Sequence, residues 1–151
     1  MSRRSSRSRG SNWRLLLDTS FLLPILGFKT VDAVMRTFEK LNLYTLYYSE
    51  ISVLEASWKI VKVIKEEEAT RVAEGLRAIR VTMNRASIDE EALKHAVRMY
   101  SLGHRDMVDN LLYSIAVTKE LKLLTVDTEL LRFVEKHELP REYIVVPDDL
   151  P

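Results

Sequence analysis

Short apolar runs and helical stripes alternate along the chain. Trp13-Arg14-Leu15-Leu16-Leu17 is nearly continuous in apolarity and stops at Asp18. Continuous rather than alternating apolarity predicts a strand covered on both faces, as in a parallel sheet. Asp18-Thr19-Ser20 then reads as a strand-to-helix turn, with side-chain oxygens able to cap a helix over Phe21–Leu26. Pro24 is tolerable there only in a first turn, and Gly27 suits the helix end. Apolar residues at 31, 34, 35, 38 and 41 predict a second helix, Val31–Leu41. Tyr44–Tyr48 is β-branched and aromatic, which predicts a strand. Ser49 suits the N-cap of a helix from Glu50 to Ile64, and a further helix runs from Glu66 to Arg80.

The remainder repeats the alternation. Residues 82–86 lack a period and predict a loop, with a short strand at Ala86–Ile88. Asp89 opens a helix to Tyr100, with acids in its first turn favouring the helix dipole. Asp106–Leu121 is apolar over much of its helical surface, so this helix is expected to be buried. Lys122–Thr125 is a strand, Glu129–Lys136 a helix and Tyr143–Val146 a last strand. Strands alternating with helices predict one three-layer α/β domain, a parallel sheet of four to five strands between helices, over residues 13–151.

Composition narrows the chemistry. The 151 residues are 46% hydrophobic and 30% charged, enough to build one core and no span of a membrane. No apolar signal segment opens the chain, so a cytoplasmic protein is expected. Cysteine is absent, which excludes disulfides, thiolate zinc sites and a cysteine nucleophile. Three scattered histidines form no ligand pair, so any bound metal must rely on oxygen ligands. Four glycines are too few for a phosphate-cradling loop. The formal charge of +1 hides an asymmetry, because Arg3, Arg4, Arg7 and Arg9 lie in the first ten residues without an acid. Without them, 19 basic residues face 22 acidic ones, a net of about −3. Residues 1–12 are therefore expected to be a disordered basic tail, suited to contacting RNA.

Acids recur where parallel sheets place their chemistry, beyond the carboxyl ends of strands. Asp18 follows the first strand and Asp127 the fourth. Asp109 lies in the first turn of the buried helix, and Glu55 sits among apolar neighbours on the helix after the second strand. Carboxylates gathered in one cleft repel one another unless a divalent cation neutralises them. Hard oxygen ligands select Mg²⁺ or Mn²⁺, and such sites suit phosphoryl transfer. Singly, each acid is equally well explained as a helix cap. Asp106, one turn before Asp109 on the same helical face, is either a cap or a fifth acid. His104 and Arg105 precede that helix, within reach of a substrate phosphate.

Four segments in order resemble the motifs of PIN domains. Leu15-Leu16-Leu17-Asp18-Thr19-Ser20 is similar to the opening motif, and the run Ser49 to Ala56, with Glu55, to the second. Met107 to Ala116, with Asp109, is similar to the third, and Leu123 to Asp127 to the fourth. The compact size is most similar to the toxin-type, VapC-like branch. Asn110 and Tyr113-Ser114 stand where the family commonly has smaller residues. The resemblance implies a Mg²⁺- or Mn²⁺-dependent ribonuclease leaving 5′-phosphate and 3′-hydroxyl ends. It assigns metal binding to Asp18, Asp109, Asp127 and Glu55, with Thr19 and Thr125 in support. It also implies a homodimer, and an antitoxin partner for a toxin member. Tyr44, Tyr47, Tyr48 and Trp58 are large amphipathic residues that favour an interface. A PIN-fold scaffold that binds RNA or protein without cutting is the alternative.

Overall fold

The structure, a computed structural model, describes residues 13–151. The basic tail, with Arg3, Arg4, Arg7 and Arg9, lies outside the described residues. Five strands form one parallel sheet: β1 (Arg14–Leu17), β2 (Thr45–Tyr48), β3 (Asn84–Arg85), β4 (Lys122–Leu124) and β5 (Ile144–Val145), in the order β3-β2-β1-β4-β5. Seven α-helices accompany them among the described residues: α1 (Thr19–Leu22), α2 (Asp32–Phe38), α3 (Glu50–Ile60), α4 (Ala69–Thr82), α5 (Glu90–Leu102), α6 (Met107–Lys119) and α7 (Thr128–Lys136).

The apolar run of β1 explains the three layers. Leu15, Leu16 and Leu17 are all fully buried, although successive strand residues point to opposite faces. Leu15 and Leu17 join one core, with Phe21, Val34, Ala56 and Ile79 of α1–α4. Leu16 joins a second, with Ala92, Leu112, Ile115 and Val134 of α5–α7. Each fully buried leucine contributes roughly 1.5–3 kcal/mol, so this strand anchors both cores. The helix α6 carries seven buried residues, Asp109 and Asn110 among them.

Boundaries depart from the sequence expectations where local chemistry intervenes. The first helix spans Thr19–Leu22 and gives way to turns over 23–27. Pro24 has no N–H to extend the ladder, and its ring crowds the carbonyl four residues back. The α3 helix ends at Ile60 rather than Ile64. The third strand is Asn84–Arg85 rather than Ala86–Ile88, both of its side chains exposed and its pairing to Tyr47 and Tyr48 carried by backbone. Gly75 lets α4 approach closely, since a Cβ there would lie 2.5 Å from the Ile25 carbonyl oxygen. No helix of the described residues is long and apolar enough to cross a membrane.

A carboxylate cluster at the sheet's switch point

The strand order reverses between β1 and β4, and in such sheets the crevice at that point is where ligands bind. Asp18 leaves the carboxyl end of β1 and caps α1, its Oδ1 accepting from the Thr19 N–H at 2.6 Å. Its other oxygen, Oδ2, accepts from the Thr125 hydroxyl at 2.8 Å. Thr125 follows β4, and its Oγ1 also accepts from the Asp127 N–H at 3.0 Å. One buried hydroxyl therefore ties two acids together across adjacent strands. Asp127 in turn caps α7, Oδ1 accepting from the N–H groups of Glu129 and Leu130.

The α6 helix brings in Asp109 from the second face. Asp106 caps that helix through the Asp109 N–H at 3.1 Å. It is exposed, and its charge bears on the Asp109 carboxyl. The cap reading therefore holds for Asp106, Asp18 and Asp127 alike. For the last two it coexists with a shared electrostatic site.

The acids influence one another strongly. Burial pushes the Asp18 carboxyl up to about 6. The Thr125 and Thr19 hydrogen bonds oppose that rise, while the charges of Glu55 and Asp127 add to it. Burial likewise holds the Asp109 carboxyl far above the usual carboxylate range, reinforced by its hydrogen bond with Asp127 and by the charges of Asp18, Asp106 and Asp127. The Asp127 carboxyl is pulled down, first by that same bond with Asp109. The contact between the two carboxyls therefore favours the protonated form of Asp109 and the charged form of Asp127. Half-buried Glu55 reaches the group from α3, through its charge on Asp18.

The donor set is chemically that of a hard cation, all carboxylate and hydroxyl oxygen. Beside Asp18, the Thr19 hydroxyl is buried without a hydrogen-bond partner, a polar atom suited to a ligand or its water shell. As positioned, no three His, Cys, Asp or Glu side chains among the described residues close into a coordination cluster. The oxygen chemistry fits Mg²⁺ or Mn²⁺. An apolar cavity of about 300 Å³ lies elsewhere, between α3 and α4, lined by Leu26, Val53, Ile60 and Leu76 among others and sharing no residue with the acids.

A family model of the PIN domain matches residues 15–136. The chain belongs to the PIN domain family. Solved structures agree in fold. FitAcB of Neisseria gonorrhoeae superposes with a TM-score of 0.65 at 17% identity, over 90% of this chain and 99% of that one. A toxin–antitoxin complex from Klebsiella pneumoniae gives 0.63 at 16%, over 88% and 97%. VapBC2 of Rickettsia felis, bound to a DNA fragment from its promoter, gives 0.61 at 16%, over 88% and 98%. At these identities the likeness is one of fold. No curated protein matches the chain by sequence.

The larger residues of this PIN domain's third motif have structural tasks. Tyr113 is fully buried and its hydroxyl donates to the Pro140 carbonyl at 2.7 Å. Ser114 meets His95 at 2.8 Å. Asn110, also fully buried, binds the His104 loop through two hydrogen bonds. Spacing alone does not reveal that clamp, although an Asn directly after the third acid on a buried helix is a signal that it exists. The tyrosines are a correction. Tyr44 and Tyr48 lie in the core, and their hydroxyls meet Pro151 and Glu50, so they supply no interface. Tyr47 is half-buried, and Trp58 is exposed. Arg105 is exposed, with its guanidinium 4.6 Å from the Tyr100 ring centroid.

Proposed function

We propose that this PIN protein is an endoribonuclease that hydrolyses RNA phosphodiesters with Mg²⁺ or Mn²⁺ held by Asp18, Asp109, Asp127 and Glu55. The observation that carries the reading is the raising of two buried carboxyls, Asp18 and Asp109, by burial and by neighbouring acids at the switch point, Glu55 and Asp127 for Asp18, and Asp18, Asp106 and Asp127 for Asp109. Uncompensated acids are costly to bury, and sites of this kind cluster where catalysis needs them. A bound cation would supply neutralising charge for the phosphate and an activated water. Asp109 would release its proton on loading, since metal ligands must be deprotonated. Thr125 keeps Asp18 oriented through Oδ2, and the helix caps keep Asp18 and Asp127 aimed at the crevice. In the reaction the water oxygen bonds to phosphorus, the P–O3′ bond breaks and the water's proton ends on the departing O3′.

Purified protein should cut an unstructured RNA with Mg²⁺ or Mn²⁺ and stop when chelator is in excess. Equal cutting in chelator overturns the metal assignment. Binding without cutting under every condition supports the scaffold alternative instead.

The toxin role fits the likeness to toxin–antitoxin folds, and the apolar cavity between α3 and α4 suits a hydrophobic segment of an antitoxin. A homodimer is supported by α5, whose exposed Leu93, Val97 and Tyr100 stand at i, i+4 and i+7 and form one apolar stripe. Light scattering at micromolar concentration should give twice 17.5 kDa, and Val97→Lys should shift it to the monomer. A single monomeric species in the unaltered protein defeats this. The arginine tail is proposed to add RNA affinity. Deleting residues 1–10 should flatten the log–log salt dependence of binding by up to about 3, at roughly 0.7 per phosphate contact. An unchanged slope would leave the tail inert.

A further inference from the structure

We propose that His104, Phe133 and His137 form a base-stacking strip for single-stranded RNA, leading away from the carboxylate cluster. The inference rests on the ribonuclease reading and names how the strand is held. The strip begins at the acids. Asp127 caps α7, Phe133 lies within that helix and His137 is its C-cap residue, four positions on and so on the same side. At 1.5 Å per residue they stand about 9 Å and about 15 Å from Asp127 along the axis, within reach of a few nucleotides. The Phe133 and His137 rings meet at 4.4 Å between centroids. His104 also meets Phe133, at 5.0 Å between centroids. All three residues are half-buried. His104 is held by Asn110, the residue directly after Asp109 on α6, so the first ring adjoins the site.

His104 is fixed in both position and tautomer. The Asn110 amide nitrogen donates to the His104 carbonyl at 2.7 Å, because a carbonyl can only accept. That orientation turns Asn110 Oδ1 toward His104 Nδ1, at 2.6 Å, so Nδ1 carries the hydrogen. Asn110 is fully buried, which makes it a rigid anchor. Gly103, at φ +119°, reverses the chain at the end of α5 and delivers His104 to the clamp. Two polar rings and one apolar ring held in a half-exposed row are more than the second core requires. Aromatic rings stack on any base, which suits an enzyme reading a strand without base-specific contacts.

Charge supports a nucleic-acid occupant. Arg132 and Lys136 are exposed on α7, four residues apart and each directly before a ring residue, and exposed Arg105 follows His104. None of the three has a carboxylate within salt-bridge distance among the described residues, whereas Glu135 pairs with Arg141. Cations beside a row of rings match the alternation of phosphates and bases in a single strand.

The test is a binding titration of the full chain with a fluorescein-labelled oligouridylate in excess chelator, across a range of salt. His137→Gln and Phe133→Leu should each weaken binding about fivefold or more, the lower end of what one stacked base contributes. Their salt slopes should match the unaltered protein, because no phosphate contact is lost. Arg132→Gln should instead flatten the slope by about 0.7. Phe133→Leu keeps apolar volume, and melting curves check that both ring variants remain folded. Unchanged affinity in both ring variants overturns the strip, and so does a loss seen only as a change in slope. If the protein cuts RNA while the ring variants bind normally, the strip fails and the nuclease reading stands. If binding depends on the rings but no RNA is cut, the strip stands and the nuclease reading fails.

Discussion

Asp18→Asn should abolish RNA cleavage and raise the melting temperature of the metal-free protein. The carboxyl sits at 7% exposure with its pKa lifted to about 6 from 3.8. A raised acid is stabilised below its unfolded pKa and penalised as pH rises through its folded one. At neutral pH the penalty for Asp18 is about 3 kcal/mol, at 1.36 kcal/mol per pKa unit. Asn removes the charge at nearly constant shape and can still accept from the Thr19 N–H through its Oδ1. Its amide nitrogen faces the Thr125 hydroxyl, which must give up its present donation, an offset of about 1 kcal/mol. The net gain of about 2 kcal/mol corresponds to roughly 4–8 °C in a domain of this size. The sign is pH-dependent: the gain should be full above about pH 6 and gone by about pH 4, where aspartate at 18 is already protonated. Cleavage should fall at least about a hundredfold, since a hard anionic ligand is lost at the centre of the site. Full activity in the variant removes Asp18 from the catalytic set. Lost activity with a lower melting point at pH 7 makes Asp18 a structural cap.

Much of this arrangement is legible in the sequence because the signals are local. Leu15–Leu17 announces a doubly covered strand, and both cores meet it. Ser49 and Asp89 cap α3 and α5 through their side chains, as short oxygen-bearing residues ahead of helical stripes should. Asp18, Asp109 and Asp127 meet because α/β topology gathers strand ends at one edge. What escapes the sequence is set by distant partners. The β3 strand is two exposed polar residues held by backbone pairing, with no side-chain period to detect. Tyr44 and Tyr48 look like interface residues until the C-terminal segment and α3 satisfy their hydroxyls. The ring row needs His104 and Phe133, 29 positions apart, to be brought to 5.0 Å. Those are tertiary facts, and helix periodicity carries none of them.

Thr125→Val should separate the positioning of the acids from their charge. The Thr125 hydroxyl is 1% exposed, donates to Asp18 Oδ2 and accepts from the Asp127 N–H. Valine keeps the shape and deletes both bonds. Two buried polar groups then lack partners, at about 1–3 kcal/mol each. The expected loss is about 3 kcal/mol, or roughly 6–12 °C in melting temperature near neutral pH. Part of it comes from Asp18, whose carboxyl loses the bond that holds its pKa down and so rises further. That part applies only while the carboxylate is charged in the unfolded chain, above about pH 4. The destabilisation should therefore be larger at pH 7.5 than at pH 4, the residue at low pH belonging to the Asp127 N–H. Thr125→Ser keeps the hydroxyl and loses one methyl, so it should stay within about 1 kcal/mol of the unaltered protein. Cleavage at saturating RNA should fall tenfold or more in the valine variant and survive in the serine variant, because only the former frees Asp18 and Asp127 to drift apart. A valine variant as stable and as active as the unaltered protein would show that the two acids do not depend on this bridge. Equal destabilisation at both pH values would assign the loss to Asp127 alone and leave Asp18 held by its own helix.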